Sequence, residues 1–287
     1  MFYKNPFNYT GSKYKLLPQI LPLFPEKTPI MVDLFGGGSG EVTFNANADR
    51  VIYNEKNTQL VNIFRNLDES FIKDVEEVIA KWGLSKENKV AFNDLRDYYN
   101  QYLYDKPSRE QAVVLYSILT HAFNYQIAFN SKGQYNMASG AGRSYFSPQL
   151  KSKLADYIKR KSEIVVDFLD NDFLNIDIDS LPPAEDTFVY ADPPYFITVG
   201  AYERDYFCKW SEQYENQLLT YLDELNAKGY KFALSNVLVH KGKENTLLKN
   251  WATKYNIHYL DIDYKNCNYH TKDKSANSSV EVLITNY

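Results

Sequence analysis

The sequence has few of the residues from which metal centres and disulfide frameworks are built. Its 287 residues include two cysteines, Cys208 and Cys267, and four histidines. Neither cysteine belongs to a Cys-x-x-Cys pair and the histidines are scattered, so we expect no metal site and no disulfide framework. Such sparse use of cysteine is typical of a reducing compartment, which predicts a cytoplasmic protein.

Long apolar segments and an excess of positive charge are also missing. No run of about 18 apolar residues occurs, and the N-terminal segment around Pro6 lacks a signal-peptide pattern, so we expect no membrane span. Lys and Arg number 32 against 36 for Asp and Glu, a net charge of −4. This balance excludes bulk attraction to a polyanion, so any nucleic-acid surface must come from local clusters of charge and rings.

Short apolar runs bounded by turn-forming residues are what the sequence has in quantity. Seven of them are predicted to be buried strands, at 30–35, 50–54, 163–168, 187–192, 230–235, 257–262 and 280–287. Helical patterns lie between many of these runs. Strands that alternate with helices predict an α/β fold with a mostly parallel sheet, in which ligands bind outside the carboxyl ends of the strands.

The alternation is interrupted between the second and the third predicted strand. Residues 63–149 carry three helical patterns, followed by a segment in which Lys132 and Gly133 separate two short alternating runs. That segment predicts a β-hairpin. We therefore predict a sheet domain made of residues 1–62 and 150–287, with residues 63–149 inserted as a mainly helical subdomain suited to recognition.

A glycine-rich loop follows the first predicted strand, in the stretch VDLFGGGSGE at 32–41. A dinucleotide fingerprint beginning at Gly36 would need a third glycine where Glu41 stands, and the Gly-Lys-Ser/Thr of a P-loop is missing. Glu55 ends the second strand, 19 residues after Gly36, where an acid meets ribose hydroxyls. Strand, glycine loop, helix, strand and acid together predict an adenosine-containing cofactor without a pyrophosphate group.

The stretch YADPPYF at 190–196 ends the fourth predicted strand in a stiff turn. Taken alone, Asp-Pro-Pro is an ordinary way to stop a strand. A functional interpretation stands beside this one, because two prolines fix the backbone between the Asp192 carboxylate and the Tyr195 ring.

These segments, in this order along the chain, resemble the motifs of one enzyme family. They are NYTGSKYKLLPQILPLFP (8–25), DLFGGGSG (33–40), NEKNTQLVNIFRNL (54–67), FNYQIAFNSKGQYN (123–136), DNDFLNI (170–176), DPPYF (192–196) and ALSNV (233–237). The family is that of the Dam-type, class α, DNA adenine-N6 methyltransferases, which use S-adenosylmethionine. The resemblance implies a Rossmann-like methyltransferase sheet of about seven strands, with residues 63–149 as the target-recognition subdomain that carries the hairpin.

The activity that this resemblance implies is methyl transfer to the N6 amino group of adenine in double-stranded DNA, with the target base flipped out of the duplex. The implied catalytic residues are Asp192, Pro193, Pro194 and Tyr195. The Asp192 carboxylate and the Pro193 carbonyl would each accept an amino hydrogen. The prolines would hold both acceptors in place, and Tyr195 would stack on the base.

For the cofactor, the resemblance implies a pocket built from several motifs. Asp33 would bind the ammonium group of the methionyl moiety, Lys13 its carboxylate and Glu55 the ribose diol. The complete implied set is Tyr9, Lys13, Asp33, Phe35, Gly36, Gly38, Glu55, Asp172, Phe173 and Asp192.

For DNA, the resemblance assigns the hairpin at 124–140 to base reading. Relatives specific for GATC carry an arginine where this chain has Ala128, so GATC is not the expected site. A basic run at 151–161 is interpreted as a solvated helix face. The amide and cationic candidates for base edges and phosphates are Asn124, Gln126, Asn130, Lys132 and Gln134.

Other functions remain open from the sequence. The acid-Pro-Pro-aromatic design also serves cytosine-N4 enzymes, which usually begin the motif with Ser, and glutamine methyltransferases, which begin it with Asn. Asp192 favours adenine; the long insertion disfavours RNA, and the intact acids disfavour an inactive DNA-binding module. We expect a monomer, with a cognate restriction endonuclease as a functional rather than a physical partner.

Overall fold

The structure, a computed structural model, describes residues 2–7, 11–38, 40–201, 207, 210–261 and 279–287. Three residues considered above, Tyr9, Cys208 and Cys267, lie outside these ranges. Among the described helices, none has both the length and the apolar character needed to cross a membrane.

Eight strands form a single sheet in the described part of the chain. They are β1 (Thr28–Asp33), β2 (Ala48–Asn54), β3 (Val165–Leu169), β4 (Thr187–Ala191), β5 (Lys231–His240), β6 (Lys243–Glu244), β7 (Asn256–Leu260) and β8 (Ser279–Thr285). The order across the sheet is β3-β2-β1-β4-β5-β8-β7, with β6 paired to β5. Every predicted run forms a strand, whereas the two residues of β6 are too few to produce a sequence pattern.

The strand order creates a ligand-binding edge between β1 and β4. β1 pairs in parallel with both β2 and β4, while β8 runs antiparallel to its neighbours β5 and β7. From β1 the sheet extends through β2 and β3 on one side, and from β4 it extends through β5 on the other. The carboxyl ends of β1 and β4 therefore meet at the topological switch point, where open α/β sheets bind ligands.

Nine α-helices are described around this sheet. They are α1 (Leu17–Ile20), α2 (Glu41–Asn45), α3 (Thr58–Asn66), α4 (Phe71–Trp82), α5 (Lys89–Tyr102), α6 (Arg109–His121), α7 (Pro148–Ser162), α8 (Glu212–Ala227) and α9 (Thr246–Ala252). Local chemistry sets their ends: Ser108 accepts the Gln111 N–H at the start of α6. Gly83 closes α4 in the left-handed conformation, with a φ of 65°.

Apolar side chains on the two faces of the sheet pack into two clusters. One face packs against α8 and α9, with Val189 and Leu222 near its centre. The other cluster joins Val51 of β2 to Phe64 of α3 and to Leu115 of α6, a helix that is buried along nearly its whole length. The inserted helices thus share one core with the sheet, and the division into two domains stays a prediction.

The segment predicted as a β-hairpin folds back on itself without regular strands. Isolated antiparallel bridges join its arms, one of them between Phe129 and Tyr135. Asn124 and Tyr125 adopt left-handed conformations at its start, with φ of 50° and 56°. Such conformations are unfavourable for residues with a Cβ, and two in succession interrupt the extended backbone that a continuous ladder needs.

Candidate active site

The glycine-rich loop after β1 is held against the ends of β1 and β2 by backbone hydrogen bonds. The Gly36 N–H donates to the Asn54 carbonyl at 2.7 Å, and the Gly37 N–H donates to a Glu55 carboxylate oxygen at 2.9 Å. A Cβ on Gly36 would lie 2.2 Å from the Tyr53 ring, so a side chain is excluded there. The loop backbone is therefore fixed by the protein itself.

Asn54, a residue to which the sequence assigns no role, ties this loop to the segment after β3. Its side-chain amide donates to the Leu34 and Asn171 carbonyls, both at 3.0 Å, and accepts the Asn171 N–H at 3.1 Å. The side chain is almost completely buried, so these bonds replace lost contacts with water. Gly38, predicted to line the pocket, is a buried position in the loop that Asn54 holds.

Asp33 lies at the end of β1 with 2% of its surface exposed. One carboxylate oxygen accepts the Phe35 N–H at 3.2 Å, and the other accepts the Thr43 hydroxyl. Burial raises the pKa of Asp33 to about 7, because the hydrogen bonds from Thr43 and Phe35 only partly offset the loss of hydration. A cationic group bound beside this carboxyl would restore its ionised form.

Four aromatic rings gather on the α8 side of the same sheet edge. The ring centroids of Phe35 and Phe173 are 5.1 Å apart, and Trp210 lies 5.6 Å from Phe35 and 5.9 Å from Phe173. Tyr214, in the first turn of α8, lies 5.7 Å from Trp210. Such rings offer faces and edges to a planar heterocycle. The sequence predicts Phe35 and Phe173 here but gives no sign of the other two.

Asp172 precedes these rings and is engaged on both of its oxygens. One accepts the Leu174 N–H at 3.1 Å; the other accepts the Lys56 ammonium at 2.7 Å and the Tyr214 hydroxyl at 3.1 Å. Burial opposes ionisation, but the hydrogen bond and charge of Lys56 prevail, so the pKa of Asp172 lies below its usual value. Asp172 is thus a fixed acceptor beside the rings, and its role in cofactor binding stays a prediction.

The chemistry of this edge fits S-adenosylmethionine. That cofactor carries a purine, a ribose diol and a cationic amino-acid part. Asp33 and Glu55 place carboxylates at the ends of the neighbouring strands β1 and β2, one suited to an ammonium and one to a diol. The ring cluster and Asp172 offer stacking and an acceptor for the purine.

The Asp-Pro-Pro-Tyr turn ends β4, directly beside the end of β1. Asp192 accepts the Tyr195 hydroxyl at 2.9 Å on one oxygen and pairs with the Lys13 ammonium at 2.8 Å on the other. Pro193 is buried and Pro194 half-buried, so packing supports the φ angles that the prolines fix. Burial, and next the charge of Asp192, raise the pKa of Tyr195 well above its usual value, so its hydroxyl stays a donor.

Lys13 is predicted at the cofactor carboxylate, whereas the structure pairs it with Asp192. Its side chain is 8% exposed, and its ammonium lies 5.1 Å from the centroid of the Tyr195 ring. The ammonium and the amino group of a substrate base are both donors to a carboxylate. Lys13 therefore stands where a substrate would have to compete with it, a position that the sequence does not reveal.

Glu41 anchors the N-terminal segment that carries Lys13. Its carboxylate accepts the Ser12 hydroxyl at 2.6 Å and the Asn5 N–H at 3.2 Å, and it lies in the first turn of α2. Glu41 stands where a dinucleotide fingerprint would have its third glycine. It thus links the end of the glycine-rich loop to Ser12, the residue beside Lys13.

The five predicted DNA-binding residues divide into two groups. Asn130 accepts the Lys132 and Gln134 N–H groups at 2.9 and 3.1 Å, and its amide donates to the Gln134 side chain at 3.2 Å. Asn130 and Gln134 therefore shape the loop. Asn124, Gln126 and Lys132 are exposed, which is the condition for contact with a large ligand.

The basic run of α7 is mostly engaged by the protein itself. Lys151 pairs with Glu76 of α4 at 2.6 Å. Arg160 and Lys161 donate to backbone carbonyls at the ends of α2 and α3. These contacts agree with a helix face that serves the fold rather than a track for phosphates.

Several known proteins are similar to this chain over its whole length. Residues 9–266 match the family model described as D12 class N6 adenine-specific DNA methyltransferase. The type II methyltransferase M.FokI of Planomicrobium okeanokoites is 42% identical over 292 residues, covering 100% of this chain. The modification methylase StsI of Streptococcus sanguinis is 40% identical over 294 residues, with the same coverage.

The relatives differ in length. The chain spans 43% of the length of M.FokI and of StsI. The type II methyltransferase M1.LlaDCHI of Lactococcus lactis subsp. cremoris is 29% identical over 296 residues, which cover 98% of this chain and 95% of that relative. The similarity thus extends both to a protein of about this length and to much longer ones.

Proposed function

The chain belongs to the D12 class of N6 adenine-specific DNA methyltransferases, and on that premise we propose that it transfers a methyl group from S-adenosylmethionine to the N6 amino group of adenine in double-stranded DNA. The observation that carries this proposal is the position of the Asp-Pro-Pro-Tyr turn. Because β4 pairs with β1, Asp192 follows a strand directly beside the one that ends in Asp33 and leads into the glycine loop.

The chemistry assigned to this turn is electrostatic. S-adenosylmethionine supplies the activated methyl group. The adenine amino nitrogen is a weak nucleophile, because its lone pair is delocalised into the ring. The Asp192 carboxylate accepts a hydrogen bond from one amino N–H and the Pro193 carbonyl accepts one from the other, and acceptors out of the ring plane favour a pyramidal nitrogen. As positive charge develops there, fixed acceptors stabilise the transition state, and the stiff turn keeps them aligned. As the N–CH3 bond forms and the S–CH3 bond breaks, S-adenosylhomocysteine would leave and the nitrogen would give up one proton to water.

Asp192 takes up this role when the flipped base reaches the carboxylate that Lys13 holds. Lys13 pairs with Asp192 at 2.8 Å, so the incoming amino group either displaces the ammonium or shares the oxygen with it. Tyr195 is bonded to the other oxygen through its hydroxyl, and its ring stacks on the base beside the turn.

The duplex binds through residues 63–149, which act as the target-recognition subdomain. The exposed side chains of Asn124, Gln126 and Lys132 contact base edges and phosphates. Flipping costs a few kcal/mol, of which stacking on Tyr195 returns about 1–3 kcal/mol. Because Ala128 replaces an arginine that reads guanine in GATC-specific relatives, the site differs from GATC.

The cellular setting is part of this proposal, and the name of one relative supports its role in modification. StsI is named a modification methylase, and we extend that role to this chain. It acts in the cytoplasm as a monomer and protects DNA against a cognate restriction endonuclease that cuts the same site.

Product analysis tests the activity. The protein is incubated with duplex DNA from a methylation-free host and with S-adenosylmethionine labelled in its methyl group, and the nucleosides are then separated. We expect the label in N6-methyladenine. Label in N4-methylcytosine, or transfer to RNA alone, would contradict the adenine assignment.

Two substitutions test the catalytic residue. Asp192→Ala should reduce transfer by a factor on the order of 1,000, whereas Asp156→Ala removes an exposed carboxylate on α7 and should leave it unchanged. Full activity in Asp192→Ala would remove Asp192 from the mechanism. Cofactor binding without transfer to any DNA would instead indicate an inactive DNA-binding module.

A further inference from the structure

Glu215 is a completely buried carboxylate that the proposed chemistry does not use. It lies in the first turn of α8 with 0% of its surface exposed. One oxygen accepts the Trp210 indole N–H at 2.6 Å, and the other accepts the side-chain amides of Asn236 and Asn245, each at 3.1 Å. All three of these donors are uncharged. The helix N-terminus offsets part of the cost of this burial.

The two asparagines are oriented by other bonds. The Asn236 side-chain oxygen accepts the Val237 N–H at 2.7 Å, and that of Asn245 accepts the Leu248 N–H at 3.0 Å. Their NH2 groups therefore point at residue 215. Together with the Trp210 indole N–H, they require that both terminal atoms of the side chain at position 215 accept hydrogen bonds. Glutamine, which has the same shape, would turn its own NH2 toward a donor in either orientation.

The indole that Glu215 holds belongs to the ring cluster at the cofactor edge. Phe35 follows β1 and Phe173 follows β3, two strands that are not neighbours in the sheet, and their ring centroids lie 5.1 Å apart. Trp210 is tilted by 39° against Phe173 and by 78° against Phe35. Trp210 lies in the segment before α8 rather than at a strand end. Its position therefore depends on contacts with α8, among them the hydrogen bond to Glu215.

We propose that Glu215 is a positioning residue of the cofactor pocket: its carboxylate fixes the Trp210 indole as a wall against which the adenine of the cofactor packs. The inference rests on the proposed function, since it takes S-adenosylmethionine as the ligand. Glu215 itself touches neither cofactor nor DNA. It joins three segments through hydrogen bonds: the segment before α8, the C-terminal half of β5 and the N-cap of α9.

The test measures binding of S-adenosylhomocysteine, which has the same adenosine, to the full chain without DNA. Calorimetry gives the dissociation constant of the parent, Glu215→Gln, Trp210→Phe and the double variant. Glu215→Gln should weaken binding about tenfold, within the range that a lost or misplaced stacking partner produces. Trp210→Phe keeps a ring at this position and should weaken binding less, about threefold. The double variant should bind about as weakly as Trp210→Phe alone, because a phenyl ring has no N–H for residue 215 to hold.

The same helix offers a matched control. Asp223 of α8 accepts the Trp251 indole N–H at 2.9 Å, in a different aromatic group. Asp223→Asn should lower the melting temperature and leave the dissociation constant unchanged. The chain has three tryptophans, so replacing Trp82 and Trp251 by Phe leaves Trp210 as the reporter. Its fluorescence should be quenched by S-adenosylhomocysteine in that background, and less so once Glu215→Gln is added.

A purely structural role predicts a different result. Glu215→Gln would then melt earlier than the parent yet bind S-adenosylhomocysteine equally tightly, which would overturn the inference. If this variant does not fold, Trp210→Ala decides the question, because it leaves the two asparagine bonds of Glu215 in place; unchanged affinity would again overturn it. A parent that does not bind S-adenosylhomocysteine would count against the proposed function and remove the inference with it.

Discussion

The polar groups at the sheet edge and those of the hairpin at 124–140 are held in different ways. At the edge, Glu55 accepts an N–H of a loop that lies 18 residues earlier, and parallel strands fix the backbone on both sides. In the hairpin, Asn130 accepts N–H groups two and four residues ahead of it. Long-range pairing builds the edge. In the hairpin, local contacts hold the predicted polar side chains, while Gln59 and Asn100 hold the backbone at Gly133 and Tyr135.

This difference determines which polar groups of each region can interact with a ligand. The buried Asp33 keeps a raised pKa that a bound cation would lower, and Asp192 is paired with Lys13, which the substrate amino group of the proposed reaction would displace or share an oxygen with. In the hairpin, Asn130 and Gln134 satisfy each other. We therefore expect substitutions at the edge to change chemistry and pH dependence, and substitutions inside the hairpin to change the stability of the loop.

The largest effect is expected at Asp192. Asp192→Ala leaves the Lys13 ammonium, with 8% of its side chain exposed, without its carboxylate. The loss of unfolding free energy should be about 2–3 kcal/mol, somewhat below the value for a fully buried pair. Methyl transfer should fall by a factor on the order of 1,000, since a fixed acceptor at the reacting nitrogen is removed. Urea unfolding and the methylation assay measure the two effects.

A double variant separates the two effects. Lys13→Met combined with Asp192→Ala leaves neither charge unpaired, so it should recover most of the lost stability and remain inactive. A double variant as unstable as Asp192→Ala would show that the ion pair is not the source of the loss. A double variant that regained activity would contradict the catalytic role of Asp192.

The next largest effect concerns Asp33 and pH. Burial raises the pKa of Asp33 from 3.8 to about 7, so between these values the folded state binds more protons than the unfolded state. The stabilising contribution of protonated Asp33 is therefore fully present below pH 3.8 and is lost as pH rises toward about 7. Asp33→Asn keeps both hydrogen bonds if the Thr43 hydroxyl rotates to accept. It should raise the unfolding free energy by up to about 4 kcal/mol at pH 8 and by little at pH 4.

The same carboxyl should control cofactor affinity. The dissociation constant of S-adenosylhomocysteine, which also has an ammonium group, should decrease between pH 6 and pH 8 in the parent, because Asp33 then ionises. In Asp33→Asn the affinity should be lower and independent of pH over this range. Equal pH dependence in both proteins would show that another group titrates.

Topology explains why the carboxylates of the edge are predictable from the sequence. Asp33, Glu55 and Asp192 each follow an apolar run, and the carboxyl ends of parallel strands meet at one edge. The partner of Lys13 is not predictable in this way, since it depends on how the N-terminal segment crosses the sheet. Trp210 likewise joins the rings of Phe35 and Phe173 through the packing of α8, and no spacing along the chain predicts this contact.

The hairpin is predictable only as a turn. The Lys132-Gly133 pair predicts where the chain reverses, and the backbone does reverse there, with Gly133 donating to the Asn130 carbonyl at 2.9 Å. The direction of each side chain depends on the local register, and the left-handed Asn124 and Tyr125 shift that register. The sequence therefore predicts five polar candidates without separating those that shape the loop from those that are exposed.

Asn130→Ala tests how much the local hydrogen bonds of Asn130 stabilise the hairpin. It removes the acceptor of two backbone N–H groups and the donor to Gln134, so the unfolding free energy should fall by about 1–2 kcal/mol. DNA affinity should fall with it, because the loop frays. Asn136→Ala is the control, since Asn136 is an exposed amide of the same loop and should leave stability unchanged. Identical unfolding curves for Asn130→Ala and Asn136→Ala would contradict the assignment of Asn130 to the residues that shape the loop.

The smallest effect concerns backbone strain, and it compares two left-handed positions. Lys241, with a φ of 47°, precedes Gly242 in the two-residue turn between β5 and β6. Asn-Gly is the preferred pair for such a turn, so Lys241→Asn should raise the unfolding free energy by about 0.5 kcal/mol and leave DNA binding unchanged. Tyr125→Asn relieves similar strain at a φ of 56°, at the expense of a half-buried ring.

If the strain at Tyr125 is kept because it presents the start of the hairpin to DNA, Tyr125→Asn should weaken DNA binding several-fold while its stability stays within about 1 kcal/mol of the parent. Fluorescence anisotropy with labelled duplex DNA measures the first quantity and urea unfolding the second. If Lys241→Asn and Tyr125→Asn both bind DNA like the parent, the left-handed conformation of Tyr125 has no role in DNA binding, as we expect for Lys241. The hairpin would then recognise DNA through its exposed side chains alone, without using the conformation of its backbone.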